Sequence, residues 1–198
     1  MLFTGVRHSG RRALRGKKRK KPVIVEKTKL DGVMLIKPEV FEDHRGQYTM
    51  TYNERDYAAA LAPHGVKGLR FVEDDISIST RDVLRGIHGD ARTSKLISCL
   101  EGKFYLVVIN NVQGHAQYRQ WTAFTLSEHN RHQVLVPAGF GNGHLVLSER
   151  AIFSYKQSAY YDPASQFTLV WNDPALGIWW PTSNPVISRR DQLGHFVT

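Results

Sequence analysis

The sequence predicts a mostly β protein, built as a sandwich or barrel of about ten or more short strands. From Lys29 to the end of the chain, short stretches with alternating polarity recur between turn residues, as in DISIS at 75–79. The segment 95–110 contains two apolar runs joined at Glu101-Gly102, which is typical of two strands linked by a tight turn. The 198 residues include 9 Phe, 8 Tyr and 4 Trp, enough to bury a sizeable core and to exclude an entirely disordered chain.

The elements can be assigned in order along the chain. Residues 32–37 (GVMLIK) read as a strand, and 54–62 as the one plausible helix, with Asn53 as its cap and with Tyr57 and Leu61 on one face. Three more strands are predicted between residues 132 and 158 (HQVLVPAGF, HLVLS and AIFSYKQS).

The basic charge is confined to the start of the chain. Residues 1–21 hold nine Lys and Arg and no acid, so the formal net charge of +9 belongs to them and the remaining residues are neutral overall. We therefore predict a basic, disordered leader over 1–28 and a single domain over 29–198. The leader offers the only route to nucleic acid, an anionic membrane or an import receptor. No apolar run follows its charges or approaches the ~20 residues of a membrane span, so we expect a cytoplasmic protein without a signal peptide or membrane span. The single cysteine, Cys99, excludes a disulfide framework within the chain.

Four segments place polar groups beside glycine and strand residues, and they are the candidates for a site: 41–48 (FEDHRGQY), 83–90 (VLRGIHGD), 136–144 (VPAGFGNGH) and 171–174 (WNDP). Arg85 and His88 are three residues apart, so a regular strand sends them to opposite faces. A bulge or bend at Gly86 would bring both into one pocket.

The chemistry of these segments favours proton transfer over metal binding. His88 and the amide of Asn142 are a poor ligand set for zinc or iron unless His144 completes it, so we predict neither a metal nor a cofactor. A neutral histidine near cations suits proton abstraction beside a carbonyl group. A carboxylate on its second ring nitrogen and a phenol on the opposite side would complete an epimerisation layout, but spacing alone places neither.

In this order, the segments resemble the dTDP-4-dehydrorhamnose 3,5-epimerase family of cupin-type jelly rolls, which act on nucleotide-linked 4-keto-6-deoxy sugars. The resemblance spans about residues 30–192. It rests on motifs in register: Phe41-x-Asp43-x-Arg45-Gly46-x-Tyr48, Ser77-x-Ser79, 83–88, Lys95-Leu96, 135–140, Tyr155-Lys156, Tyr160-Tyr161-x-Pro163, 171–174, Trp180-Pro181 and Ser188-x-x-Asp191.

The resemblance implies a role for each matching residue. It makes His88 the proton acceptor with Asp173 as its orienting partner, Tyr155 the proton donor, and Lys95 the cation beside the C4 keto oxygen. Without the resemblance, Asp173 reads equally well as an ordinary turn residue. The substrate-binding positions are Arg45 and Arg85 at the diphosphate, Tyr161 stacked on the base, and Tyr48, Glu73, Asp75, Asn142, Gln166 and Arg190. Because the family's counterpart of Arg45 crosses a subunit interface, a homodimer is also implied.

Departures from the family pattern cluster around the ligand. Glu73-Asp74-Asp75 stands where Gln-x-Asn is usual, Met50 and Gln166 replace acids, and Asn142 replaces a pocket histidine. The stretches 85–90 (RGIHGD) and 138–142 (AGFGN) resemble more closely a branch acting on GDP-linked 4-keto-6-deoxyheptoses in capsule or lipopolysaccharide synthesis. The base, the sugar length and the choice of C3 or C5 therefore stay open. A ketoisomerase on the same scaffold and a non-catalytic nucleotide-sugar-binding cupin are the alternatives.

Overall fold

The computed structural model describes residues 23–196, so the first 22 residues of the predicted leader lie outside the described part. The strands are β1 (Ile24–Lys27), β2 (Met34–Lys37), β3 (Val40–Asp43), β4 (Gly46–Thr49), β5 (Glu73–Thr80), β6 (Leu84–Asp90), β7 (Lys95–Glu101), β8 (Lys103–Asn110), β9 (Trp121–Ser127), β10 (Gln133–Val136), β11 (Phe140–Val146), β12 (Arg150–Gln157) and β13 (Gln166–Thr168). The helices are α1 (Glu54–Leu61) and α2 (Arg189–Gln192), with short 3-10 turns at Ala62–His64 and Pro163–Ser165.

Two antiparallel sheets face each other. A six-stranded sheet has the order β1-β2-β10-β7-β12-β5, and a five-stranded sheet has the order β13-β6-β11-β8-β9. Side chains alternate across each strand, so Ile97 of one sheet and Phe104 of the other lie fully buried between the sheets. The fold is therefore a two-sheet β structure with its main core between the layers.

Part of each outer face of the sandwich is also covered. Asn53 caps α1 by accepting a hydrogen bond from Asp56 N (3.1 Å), and the helix buries Tyr57 and Leu61 against the six-stranded sheet. The C-terminal segment covers the five-stranded sheet, where Trp180 packs in a second apolar cluster. The predicted helix with its cap, and the strands predicted over 32–37, 75–79 and 95–110, are all present.

The ordered domain begins earlier than predicted. Strand β1 lies inside the segment assigned to the leader, and it pairs with β2 through Val25 opposite Ile36. Val25 also packs against the cluster under α1. In the sequence this short apolar run directly follows the basic residues, so it was assigned to the leader with them. Within residues 23–196, no helix is both long and apolar enough to cross a membrane.

Candidate active site

A cavity of about 350 Å³ opens between the two sheets at one end of the sandwich, within the usual size range of small-molecule sites. The six-stranded sheet forms one wall and the five-stranded sheet the other, with α2 and its cap at the rim. The lining residues are Asp75, Ile76, Ser77, Arg85, His88, Lys95, Asn142, His144, Phe153, Tyr155, Ser188, Arg190 and Asp191.

A bulge at Gly86 brings Arg85 and His88 to the same wall, as the sequence predicted. Arg85 pairs with His144 and His88 pairs with Asn142, so two residues of β6 oppose the single Gly143 of β11. Gly86 has φ +116°, and a Cβ there would lie 2.7 Å from the carbonyl oxygen of Asn142. Only glycine fits this position without a backbone shift.

His88 is held by a buried carboxylate. Its Nε2 lies 2.6 Å from Oδ1 of Asp191, which is 2% exposed and sits in α2, 103 residues further along the chain. Burial alone would raise the pKa of Asp191. Hydrogen bonds from His88, from the Gly86 N–H and from Ser188 outweigh it and hold that pKa below its usual value. Because an ionised carboxylate can only accept hydrogen bonds, Nε2 carries the proton and Nδ1 is left as the basic nitrogen.

The prediction that Asp173 is the partner of His88 is wrong, because Asp191 occupies that position. Oδ1 of Asp173 accepts a hydrogen bond from Ala175 N (2.8 Å) in a turn, and Asp173 does not line the cavity. Asp191 belonged to the Ser188-x-x-Asp191 motif, and Ser188 caps α2 by accepting from Asp191 N (3.2 Å). In the sequence, this motif indicates that a helix begins at Ser188, and it is the only local feature that distinguishes Asp191. Its contact with His88 is tertiary, so no sequence spacing reveals it.

Tyr155 and Lys95 lie on the opposite wall from His88. The ammonium of Lys95 sits 5.6 Å from the centre of the Tyr155 ring. Lys95 is 9% exposed, and among residues 23–196 no carboxylate lies within 4 Å of it. Burial lowers the pKa of Lys95, whereas burial and then Asp75 raise the pKa of Tyr155 to about 12. At neutral pH the phenol of Tyr155 thus keeps its proton.

Further predicted binding residues surround the mouth of the cavity. Arg85 donates to Ser79 Oγ (3.0 Å) and Arg190 donates to Thr168 Oγ1 (3.1 Å), and both arginines are exposed residues. Arg190 also lines a neighbouring open cavity of about 360 Å³ that includes Tyr161 and Gln166. The structure therefore places these four predicted binding residues along one continuous surface.

Two predicted binding residues lie elsewhere in the chain. Arg45 and Tyr48 belong to the β3–β4 hairpin and line a separate surface that shares no residue with the cavity around His88. Arg45 is ion-paired with Asp43 at 2.6 Å at the hairpin tip, and it remains largely exposed. Within one chain, the structure does not bring Arg45 and Tyr48 to His88.

The deep end of the cavity holds polar atoms without partners. Ser77 Oγ, Asn142 Oδ1 and His144 Nε2 are buried and form no hydrogen bond. His144 stacks on Phe153 with ring centres 4.1 Å apart, and burial lowers its pKa to about 3, so it is neutral. The sequence singled out Asn142 but treated His144 only as a possible metal ligand. No group of three or more His, Cys, Asp or Glu able to hold a metal occurs among residues 23–196.

The fold and the cavity together define a class of protein. A jelly-roll sandwich whose cavity holds a His–carboxylate pair on one wall and a phenol and an ammonium on the other is a cupin-type isomerase. A sequence profile of dTDP-4-dehydrorhamnose 3,5-epimerase matches residues 27–197. The chain belongs to the dTDP-4-dehydrorhamnose 3,5-epimerase family.

Individual relatives agree with this assignment. The dTDP-4-dehydrorhamnose 3,5-epimerase of Pseudomonas aeruginosa is 39% identical over 165 residues, covering 82% of this chain and 89% of the relative. That of Salmonella typhimurium is 36% identical over 173 residues, covering 85% and 92%. The crystal structure of a dTDP-6-deoxy-D-glucose-3,5-epimerase from Legionella pneumophila, in complex with dTDP-4-keto-L-rhamnose, superposes with a TM-score of 0.82 at 32% identity, covering 88% of this chain and 92% of that one.

Proposed function

We propose that this protein inverts C3, C5 or both in a 4-keto-6-deoxy sugar linked to a nucleoside diphosphate. A proton on a carbon beside a ketone is acidic because the resulting carbanion delocalises into an enolate. One observation carries the proposal: the His88–Asp191 pair lies across the cavity from Tyr155 and Lys95. Inversion needs a base on one face of the carbon and an acid on the other, and this arrangement supplies both.

The steps use groups of this chain. His88 removes the proton from the carbon, and the electron pair of the C–H bond moves toward the keto oxygen. The Asp191 carboxylate stabilises the imidazolium that forms. Lys95 stabilises the negative charge developing on the enolate oxygen, an interaction that strengthens in the transition state. Tyr155 then gives its phenolic proton to the opposite face of the carbon, leaving a phenolate.

The nucleotide would occupy the surface that joins the two cavities. Arg85 and Arg190 are exposed residues at the mouth, and a guanidinium group is able to bind diphosphate oxygens in bidentate fashion. Tyr161 offers an exposed ring beside them, on which a base would stack. The Legionella pneumophila structure holds a dTDP-linked sugar, which supports a nucleotide-sugar substrate for this chain.

The base and the sugar are the open part of the proposal. The relatives carry dTDP in their names, whereas the stretches 85–90 (RGIHGD) and 138–142 (AGFGN) favour a GDP-linked heptose. That choice stays a prediction, so both nucleotides belong in the assay. A cytoplasmic location likewise stays a prediction.

We also propose that two copies of the chain assemble and exchange their hairpins. Among the described strands, β3 and β4 pair only with each other, and they expose Phe41 and Tyr48. Strand β5 is an edge strand with Ile76 and Ile78 exposed on its outer face. An arm that displays aromatic residues beside an apolar sheet edge is suited to a second copy, and it would deliver Arg45 to the partner's cavity.

The test is deuterium exchange. The protein is incubated in deuterated water with dTDP- and GDP-linked 4-keto-6-deoxyglucose, and the deuterium at C3 and C5 is followed by NMR. We expect wash-in at one or both carbons, its abolition in His88→Asn, and in Tyr155→Phe a loss of inversion greater than the loss of exchange at the first carbon. The absence of exchange with every substrate would contradict the proposal, and migration of the keto group to C3 would show a ketoisomerase instead.

A further inference from the structure

We propose that Asp75, together with Glu73, forms a proton relay that returns a proton to Tyr155 after each inversion. This inference rests on the function proposed above and assigns Asp75 a role other than binding substrate. Asp75 acts through Tyr155 and does not touch the reacting carbon.

The need for such a relay follows from the stoichiometry of inversion. After one inversion, His88 holds an extra proton and Tyr155 lacks one, so both must be restored before the next. The His88 side chain is 26% exposed and able to release its proton through the open cavity. Tyr155 sits on the inner wall against the core, where it needs a nearby proton donor for rapid restoration.

Asp75 is placed to be that donor. It lies directly opposite Tyr155 in the β5–β12 pair, and both residues line the cavity. Gln157 donates from the same Nε2 to Asp75 Oδ2 (3.1 Å) and to Glu73 Oε1 (2.8 Å). Glu73 Oε2 accepts from Tyr161 N at 3.0 Å, at the surface. These contacts form a polar path from the phenol to solvent.

The charges along this path favour a bound proton. Asp75 and Glu73 share one amide donor in a half-buried position, and two carboxylates so close resist full ionisation. Burial and then Glu73 raise the pKa of Asp75. Lys95 lies on β7, with β12 between it and the strand of Asp75, and it interacts electrostatically with Asp75 and with Arg190 of α2. A carboxylic acid beside the phenolate is thus maintained closer to neutral pH than an isolated aspartate would allow.

The step balances without any further reagent. The Asp75 carboxylic acid gives its proton to the phenolate oxygen of Tyr155, which restores the O–H bond and leaves a carboxylate. The Asp75–Glu73 pair then takes a proton from solvent, while His88 releases the substrate's former proton to solvent. After a full turnover the protein is unchanged, and the inverted carbon carries a solvent-derived hydrogen.

The experiment compares the first turnover with later ones in the Asp75→Asn variant. Inversion of dTDP- and GDP-linked 4-keto-6-deoxyglucose is followed by rapid quench with excess substrate, and the ratio of the first-turnover rate to the steady-state rate is measured. Removing the carboxylate lowers the pKa of Tyr155, so we expect the first turnover to persist. The steady state should slow enough to raise the ratio about tenfold or more over wild type. A small carboxylic acid such as formic acid should restore the steady-state rate.

Asp74→Asn is the matched control. Asp74 is the next residue, points to the outer face and pairs with Lys156 at 2.6 Å, so its loss should leave the ratio as in wild type. If Asp75→Asn fails to fold, Glu73→Gln decides, because Asp75 then ionises more readily and the ratio should rise with pH. An unchanged ratio, or first and later turnovers slowed equally, would overturn the relay alone. An inactive wild-type protein would overturn the proposed function and the relay together.

Discussion

The contact between His88 and Asp191 yields the sharpest prediction for this enzyme. Replacing Asp191 by Asn keeps the shape of the side chain and removes its charge. The amide is able to donate a hydrogen to Nε2, which favours the tautomer with the proton on Nδ1 and blocks the basic nitrogen. We therefore expect kcat to fall about 100- to 10,000-fold, the range that a positioned general base contributes. At ~1.4 kcal/mol per tenfold, this raises the barrier by about 3–5 kcal/mol.

Asp173→Asn is the control that separates the two carboxylates. Its amide oxygen would still accept the hydrogen bond from Ala175 N, so the turn and the activity should both persist. The assay is the rate of deuterium wash-in at saturating substrate, with the Tm of each variant measured alongside. Near-normal activity in Asp191→Asn, or an equal loss in Asp173→Asn, would refute the assignment of Asp191 as the partner of His88.

The same substitution has a consequence for stability that depends on pH. The folded protein holds the pKa of Asp191 below its ordinary value of 3.8, so the ionised form contributes stability above that value. The contribution is lost as the pH falls through the folded pKa. A buried hydrogen-bonded charge of this kind is worth about 1.5–3 kcal/mol. Urea denaturation should therefore show wild type more stable than Asp191→Asn at pH 7, with the gap narrowing below pH ~4.

Three further predictions follow from the cavity and the hairpin. Lys95→Gln should lower kcat about 100- to 1,000-fold with a smaller change in KM, since the charge it stabilises develops in the transition state; equal changes in both would contradict this role. Gly86→Ala should cost about 2–4 kcal/mol in urea denaturation, because of the positive φ and the 2.7 Å approach to the Asn142 carbonyl; a cost below ~1 kcal/mol would contradict it. If Arg45 serves the partner's cavity, mixing inactive Arg45→Ala and His88→Asn proteins under subunit exchange should restore about a quarter of wild-type activity, as expected for random twofold dimers. No recovery would contradict the delivery of Arg45 to the partner's cavity.

Much of the fold was predictable because local patterns and local turns encode it. The alternation in 75–79 and the turn at Glu101-Gly102 each gave the correct strands, since period-two burial is a property of single strands. The bulge at Gly86 was also predictable from a local pattern. Arg85 and His88 are three residues apart, so a regular strand would send them to opposite faces, and the glycine between them indicates a break in the alternation. The start of the domain was missed, since β1 is short and is ordered through its partner β2.

A site residue was predictable only where its position in a family motif is enough to identify its role. Resemblance placed His88, Tyr155 and Lys95, and the structure brings these three into one cavity. It failed for Asp173, because two aspartates near the C-terminus follow short motifs and only the packing of α2 against β6 decides between them. The sequence could not predict that Nε2 of His144 lacks a hydrogen-bond partner, because the partners of a buried polar atom depend on every residue around the cavity.

The architecture itself explains why proton transfer from two faces arises here. In the proposed function, a sugar ring between the sheets would present one face to β6 and the other to β7 and β12, so groups on opposite walls would reach opposite sides of the same carbon. The bulge at Gly86 supplies His88 to one wall without disturbing the register that keeps Tyr155 inward on the other. A regular β6 would leave either Arg85 or His88 outside the cavity. The glycine is therefore needed to bring both Arg85 and His88 to the cavity.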